Sequence, residues 1–289
     1  MAAQFLPFEH DEPAAPPVGT LVCIPGLNSG SYMFTGARAA LPRWRIVRFN
    51  TPGLPGVPLP LPFTVHTYAE HVRRHLGLVQ LGQQPVVVMG HSLGGYAAQE
   101  LARIWPSMVA KLVLVATSRG QPDTARDMKG LEAHIGQNFW AWSRQLENDP
   151  ATALKPLFGP DFPLRQPEVY HTFLALRAAF MPDKSATLAQ ITAGGIFSSA
   201  RWAKHLPQPA LVIHGTADTL ISFKSGQQLA ATLPHGRLLA LHEVGHFPPL
   251  EHPKFWEYVA EFCEGVKLGD DIAPTPNFWT YLKRFWGPR

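Results

Sequence analysis

Val86-Val87-Val88-Met89-Gly90-His91-Ser92-Leu93-Gly94-Gly95 is the stretch on which the reading of this chain turns. Its first four residues are apolar, three of them β-branched, with no polar alternation. That pattern predicts a strand buried on both faces, as in a parallel sheet. A helix is expected from about Gly95 to Trp105, stopped by Pro106. Between strand and helix lies Gly-x-Ser-x-Gly, spanning Gly90 to Gly94. A strand, a sharp turn and a helix form the context in which that pattern has chemical meaning. Glycine at 90 and 94 leaves room that a Cβ would fill. The turn lifts the Ser92 hydroxyl clear of the sheet edge. The helix behind it aims N–H groups and partial positive charge at the same spot, where a developing oxyanion is stabilised without reorganisation.

The same rhythm extends in both directions. Thr20-Leu21-Val22-Cys23-Ile24 reads as a buried strand ended by Pro25-Gly26, and Arg45-Ile46-Val47-Arg48-Phe49 as another. A short helix is expected within residues 31–41. Five prolines from Pro52 to Pro62 exclude regular structure there. Val65, Tyr68, Ala69, Val72, Leu76 and Val79 recur at helical spacing over residues 64–80, with Thr64 as N-cap. Leu112-Val113-Leu114-Val115, Ala210-Leu211-Val212-Ile213 and Arg237-Leu238-Leu239-Ala240-Leu241 are further strands, and 251–265 a last helix. Strands alternating with helices predict an α/β fold with a mostly parallel central sheet flanked by helices.

Residues 119–205 break the rhythm. They show helical stretches and turns without a convincing strand, and carry Trp140, Trp142, Phe158, Phe162, Tyr170, Phe173, Phe180, Phe197 and Trp202. The expected organisation is an irregular N-terminal arm (1–18), an α/β core (19–118 and 206–265), a mainly helical cap (119–205) and a C-terminal appendage (266–289). In the appendage Phe278, Tyr281, Leu282 and Phe285 share one helical face. That face is expected to pack on its own body, with a membrane-surface or dimer contact as the alternative.

Composition excludes several classes. Hydrophobic residues make up 46% of the 289, too many for a disordered chain. No apolar run approaches the roughly 18–20 residues of a membrane span. Lys plus Arg (25) barely exceeds Asp plus Glu (21), with no dense basic run, so no nucleic-acid partner is expected. Cys23 and Cys263 fit neither a disulfide framework nor a zinc spacing. Buried, reduced thiols and a start unlike a signal peptide point to a cytoplasmic protein. With no Gly-rich phosphate fingerprint and no H-E-x-x-H pattern, neither a cofactor nor a metal is expected.

A serine hydroxyl needs a base, and the base an orienting acid. The candidate base is His246, in the loop Val244-Gly245-His246-Phe247-Pro248, with His242 and His252 as rivals. The candidate acid is Asp218, ending His214-Gly215-Thr216-Ala217-Asp218 after a strand, with Glu243 and Asp123 as rivals. An oxyanion hole needs two donors. Leu93 N–H is one, and Leu27 N–H, in Pro25-Gly26-Leu27-Asn28, is the other, with the Asn28 side chain as alternative.

On these motifs, in the order Ser, acid, His, residues from about 20 to 265 resemble the α/β-hydrolase fold family. Gly90 to Gly95, His214 to Asp218, and Gly245-His246 followed by Glu251 and Pro253 carry the likeness. The chain is most similar to the cap-bearing serine carboxylesterase branch that holds the pimeloyl-carrier-protein methyl ester esterases. It departs from those relatives at Pro25, where they usually carry His, and in the longer, proline-rich Asn50-Thr51-Pro52-Gly53-Leu54-Pro55-Gly56. The resemblance implies a cofactor-free serine hydrolase that cleaves small-molecule esters of small to medium apolar acyl groups through an acyl-enzyme. Alternatives on the same triad are carbon–carbon bond hydrolysis, thioester or lactone hydrolysis and perhydrolysis. A non-catalytic, receptor-like binder is a more distant alternative.

Overall fold

Seven strands make one sheet in the computed structural model, which describes residues 5–78 and 85–265. Val79 and the 266–289 segment, with Phe278, Tyr281, Leu282 and Phe285, lie outside the described residues. The strands are β1 (Phe8–Asp11), β2 (Thr20–Ile24), β3 (Arg45–Phe49), β4 (Val86–His91), β5 (Val109–Val115), β6 (Ala210–Gly215) and β7 (Gly236–Leu241). Their spatial order is β1-β3-β2-β4-β5-β6-β7. Pairing from β3 to β7 is parallel throughout, in registers such as Ile24↔Gly90, Gly90↔Leu114 and Leu114↔Val212.

The unbroken apolar runs have a direct cause. Val22, Ile24, Val88, Leu112, Leu114 and Val212 pack into one core, and Leu21, Cys23, Met89, Val113, Leu211 and Ile213 into another on the opposite face. Successive side chains point to opposite faces of a strand, so a strand covered on both sides must be apolar at every position. Helices α1 (Val65–Leu78) and α2 (Leu93–Ile104) cover the first face with Tyr68, Ala69, Val72, Ala97 and Leu101. Farther along the chain come α3 (Asp123–Ile135), α4 (Phe139–Asn148), α5 (Pro167–Ala179), α6 (Lys184–Ile196), α7 (Phe223–Thr232) and α8 (Phe255–Glu264). Of these, α8 closes the second face with Phe255, Val259 and Phe262. Thr64 caps α1 as expected, its hydroxyl accepting the Thr67 N–H at 3.0 Å.

One expectation is corrected. The arm over residues 1–18 is not wholly irregular: Phe8–Asp11 is an edge strand, antiparallel to β3. Its prolines fall outside those four residues, and Arg48 holds Glu9 (3.4 Å) and Asp11 (2.9 Å) across the pair. The strand ran only four residues with half-exposed side chains, so no apolar period betrayed it. The other differences are at element ends. β4 runs on to His91 and α2 starts at Leu93, which makes the intervening turn tighter than the sequence suggested. Residues 31–41 hold two short helical turns, Ser31–Phe34 and Ala37–Ala40. Among the described residues no helix is long and apolar enough to cross a membrane. Cys23 and Cys263 are both free and buried.

Because β2, β4, β6 and β7 run parallel, their carboxyl ends lie along one edge of the sheet, the edge where open α/β sheets bind ligands. Truncating a side chain at the centre of this sheet tests the two-faced core. Leu114→Ala, at a fully buried position, is expected to cost about 2–5 kcal/mol. Leu164→Ala, at a side chain 80% exposed, is expected to stay within about 0.5 kcal/mol. Urea unfolding of the two variants checks this, and equal costs would contradict the assignment of the core.

Candidate active site

Ser92 occupies the turn between β4 and α2 at φ 53° and ψ −119°, a left-handed conformation that a serine adopts only where the surroundings impose it. The imposing groups are backbone. A Cβ on Gly90 would lie 2.3 Å from the Gly94 carbonyl oxygen, and one on Gly94 would lie 2.1 Å from that of Ile24 and 2.5 Å from that of Pro25. Only glycine fits at either place. Hydrogen bonds pin the turn: Ser92 N–H donates to Val115 O (2.9 Å), and the Thr117 hydroxyl to Ser92 O (2.8 Å).

The loop after β2 lies against this turn. The Tyr68 hydroxyl donates to Pro25 O (3.0 Å) and the Thr51 hydroxyl to Gly26 O (2.7 Å), so two buried side chains hold the loop by its carbonyls. Among the described residues neither Leu27 N–H nor Leu93 N–H has an acceptor. The Asn28 side chain, offered as an alternative donor, has its oxygen engaged by the Thr187 hydroxyl at 3.3 Å.

Across the same sheet edge, His246 Nδ1 stands 2.8 Å from Asp218 Oδ2. The carboxylate accepts, so Nδ1 carries the proton and Nε2 is left free as a base. The other oxygen, Asp218 Oδ1, accepts Leu220 N–H (2.9 Å) and Ile221 N–H (3.0 Å). His214, fully buried, places Nε2 3.4 Å from Asp218 Oδ2 and donates to Ile221 O at 2.8 Å. Burial alone would push the Asp218 carboxyl up. The charge of His246 and the hydrogen bonds from His214 and His246 outweigh it and hold the carboxyl far below the usual range. Ser92, Leu93, Leu27 and His246 line one cavity of about 820 Å³. Among the described contacts no hydrogen bond joins Ser92 Oγ to His246, a separation that unliganded sites often show.

The rivals stand elsewhere. His242 and Glu243 are exposed. Asp123 is tied to Arg119 at 2.9 Å and to Arg126 at 3.5 Å. His252 is half-buried beside Tyr258.

Several participants were not singled out by sequence reasoning. His91 donates from Nε2 to the His246 carbonyl at 2.8 Å, joining the serine turn to the histidine loop. Glu251 accepts from the N–H groups of Gly245 (2.9 Å), Phe247 (3.0 Å) and Gly159 (2.7 Å), so one carboxylate ties the histidine loop to the segment after α4. Gln190 on α6 is fully buried, accepts Asn28 N–H at 2.9 Å and donates to Pro52 O at 2.9 Å. Of these, His91 and Glu251 were visible beforehand, each as part of a motif and without a role. Over the cavity stand Met128, Phe139, Trp140, Trp142, Leu146, Phe173, Ile191 and other residues of α3 to α6. Phe158 and Phe173 pack on Phe247 at 4.7 and 4.9 Å between ring centroids.

Comparison with known proteins identifies the family of the chain. The signature of the Alpha/beta hydrolase family matches residues 21–256. A pimeloyl-[acyl-carrier protein] methyl ester esterase of Aromatoleum aromaticum is 30% identical over 246 residues, covering 81% of this chain and 93% of that one. A 2-hydroxymuconate semialdehyde hydrolase of Pseudomonas putida is 28% identical over 203 residues, 68% of each chain. The solved enol-lactonase of Burkholderia xenovorans shares the fold with a TM-score of 0.71 at 22% identity, over 88% of this chain and 95% of that one.

Burial, then the nearby His246, lowers His91 to about 3. Its unfolded value is near 6.5, so the unfolded chain takes up the proton first. The stability tied to a neutral His91 is whole above about pH 6.5 and is lost as pH falls toward 3. The depressed Asp218 adds its own loss only below about pH 4. Unfolding free energy is therefore expected to fall steadily from pH 7 to pH 4.5, and His91→Gln to flatten part of that slope. Urea unfolding at stepped pH measures it, and a slope unchanged by the substitution would contradict the assignment.

Proposed function

The chain belongs to the alpha/beta hydrolase family, and from that premise we propose that it is a serine esterase cleaving carboxylic esters of small to medium apolar acyl groups. The observation that carries the reading is the 2.8 Å Asp218–His246 hydrogen bond, which leaves Nε2 as the basic nitrogen of a histidine lining the same cavity as Ser92.

The proposed mechanism follows from those positions. His246 Nε2 takes the Ser92 proton as Oγ attacks the ester carbonyl. The carbonyl oxygen, now negative, rests on the N–H groups of Leu27 and Leu93, with the amino end of α2 behind it. His246 protonates the leaving alkoxide, and Asp218 stabilises the imidazolium and keeps its tautomer. Water, activated by the same imidazole, then attacks the acyl-enzyme, and Ser92 leaves reprotonated with the free acid released. The apolar walls that Trp142, Leu146 and Phe173 give the cavity suit an apolar acyl chain.

A second reading is cleavage of a carbon–carbon bond on the same three residues, supported by the likeness to the 2-hydroxymuconate semialdehyde hydrolase. Such an enzyme would cleave a vinylogous diketone and ignore simple esters.

Turnover of p-nitrophenyl butyrate is the direct test. Ser92→Ala is expected to lower kcat by about 10⁴-fold or more, and Asp218→Asn by about 10³–10⁴-fold with the fold retained. Labelling with a phosphonate should place the adduct on Ser92. An adduct on any other residue, or ester turnover that survives Ser92→Ala, would overturn the proposal.

A further inference from the structure

Among the described residues, one charge in the cavity has no counter-charge. Arg177, near the end of α5, lines the cavity that holds Ser92 and His246. Its Nη1 donates to the Asn28 carbonyl at 3.2 Å, and its other neighbour is the phenol of buried Tyr32. Burial raises the Tyr32 hydroxyl above its usual value, so the phenol stays neutral and offers no compensating charge. Among the described residues no carboxylate lies within ion-pair distance of Arg177.

The other charged groups of the cavity are committed. Lys184 pairs with Glu147 at 2.9 Å. Asp127 accepts the hydroxyls of Ser222 (2.7 Å) and Ser225 (2.6 Å), with Arg126 at 3.7 Å. Glu132 accepts the Phe139 N–H at 2.8 Å. A guanidinium presents five donors in a fixed fork, and here few are used. Arg177 is half-buried, and a cation partly withdrawn from water without a charged partner is costly to hold. A ligand carboxylate placed on that fork would receive paired, charge-assisted hydrogen bonds.

The position sets the ligand's shape. Asn28 directly follows Leu27, whose N–H is the proposed oxyanion donor, and neighbouring Cα atoms are about 3.8 Å apart. The guanidinium bonded to Asn28 O is therefore on the order of 10 Å or less from the scissile carbonyl. We propose that Arg177 is a specificity residue that binds a second, free carboxylate on the acyl side of the substrate, so that the preferred esters are half-esters of short dicarboxylic acids. This inference rests on the esterase reading above and revises its substrate class, from an acyl chain that is apolar throughout to a short apolar chain ending in a carboxylate.

The test compares kcat/KM for the p-nitrophenyl half-esters of succinic, glutaric and adipic acids with that for p-nitrophenyl butyrate, valerate and hexanoate. In the native protein at least one half-ester is expected to exceed its neutral counterpart by about tenfold or more. Arg177→Gln should lower that ratio by about 10–100-fold, the usual range for a charge-assisted pair. Arg177→Lys, which keeps the charge but loses the fork, should lower it less. Calorimetric titration of succinate, glutarate and adipate gives a readout independent of turnover. Binding by the native protein that Arg177→Gln abolishes and Arg177→Lys partly keeps supports the subsite. If neutral esters turn over through Ser92 while the native protein shows no preference for any half-ester, the inference is overturned and the esterase reading stands. If no ester turns over through Ser92, the esterase reading fails. In that case dicarboxylate binding that depends on Arg177 still supports the subsite, and absence of binding overturns it.

Discussion

The turn at Ser92 leaves no room for side chains, and the candidate site is organised around that crowding. Gly94 is pressed against the carbonyls of Ile24 and Pro25, and Gly90 against the carbonyl of Gly94. The contact forces the start of α2, the end of β4 and the loop after β2 into one small volume. Ser92 accepts a left-handed backbone as a result. The same crowding brings Leu27 and Leu93 to the cavity that Ser92 also lines. A single Cβ at position 94 would separate the two loops, so the placement of Ser92 and of the two N–H groups is a property of the backbone more than of any side chain.

The other half of the candidate site is electrostatic. Asp218 is a buried carboxylate, which by itself would favour its neutral form. The charge of His246 and the hydrogen bonds from His214 and His246 reverse that preference, while two backbone N–H groups hold the other oxygen. A carboxylate so held keeps its charge and fixes the imidazole proton on Nδ1. The loop that carries His246 is in turn held from three sides. His91 takes its carbonyl, Leu157 O accepts its N–H at 2.7 Å, and Glu251 gathers the N–H groups on either side of it. These ties cross between β4, the segment after α4 and the end of β7. The segment after α4 and helix α5 thus touch the histidine loop through Glu251–Gly159 and through the rings of Phe158, Phe173 and Phe247.

The charges that line the cavity fall into two kinds. Asp127, Glu132, Glu147 and Lys184 are satisfied by partners within the chain and hold α3, α4, α6 and α7 to one another. Arg177 is not satisfied in that way. It stands against the loop after β2 with a neutral phenol and a carbonyl beside it. The contrast separates groups that build the cavity from a group suited to meet what enters it.

Much of this was readable in the order of residues. Apolar runs such as Val86–Met89 and Leu112–Val115 announce strands buried on both faces, because period-two geometry leaves such a strand no polar side. The glycines at 90 and 94 around Ser92 announce the turn, since only a residue without a Cβ fits it. Asp218 and His246 were found because each follows a strand and opens with a glycine-bearing loop. What the order of residues did not disclose depends on contacts between segments far apart in the chain. The edge strand Phe8–Asp11 owes its existence to pairing with β3 and has no apolar period of its own. The roles of Gln190, Glu251 and His91 arise from hydrogen bonds to backbone groups that any residue type carries, so no residue pattern marks their partners. The isolation of Arg177 is likewise a statement about which carboxylates are absent from its neighbourhood among the described residues. Local sequence sets the elements and the tight turns; only the packed chain decides which charges meet.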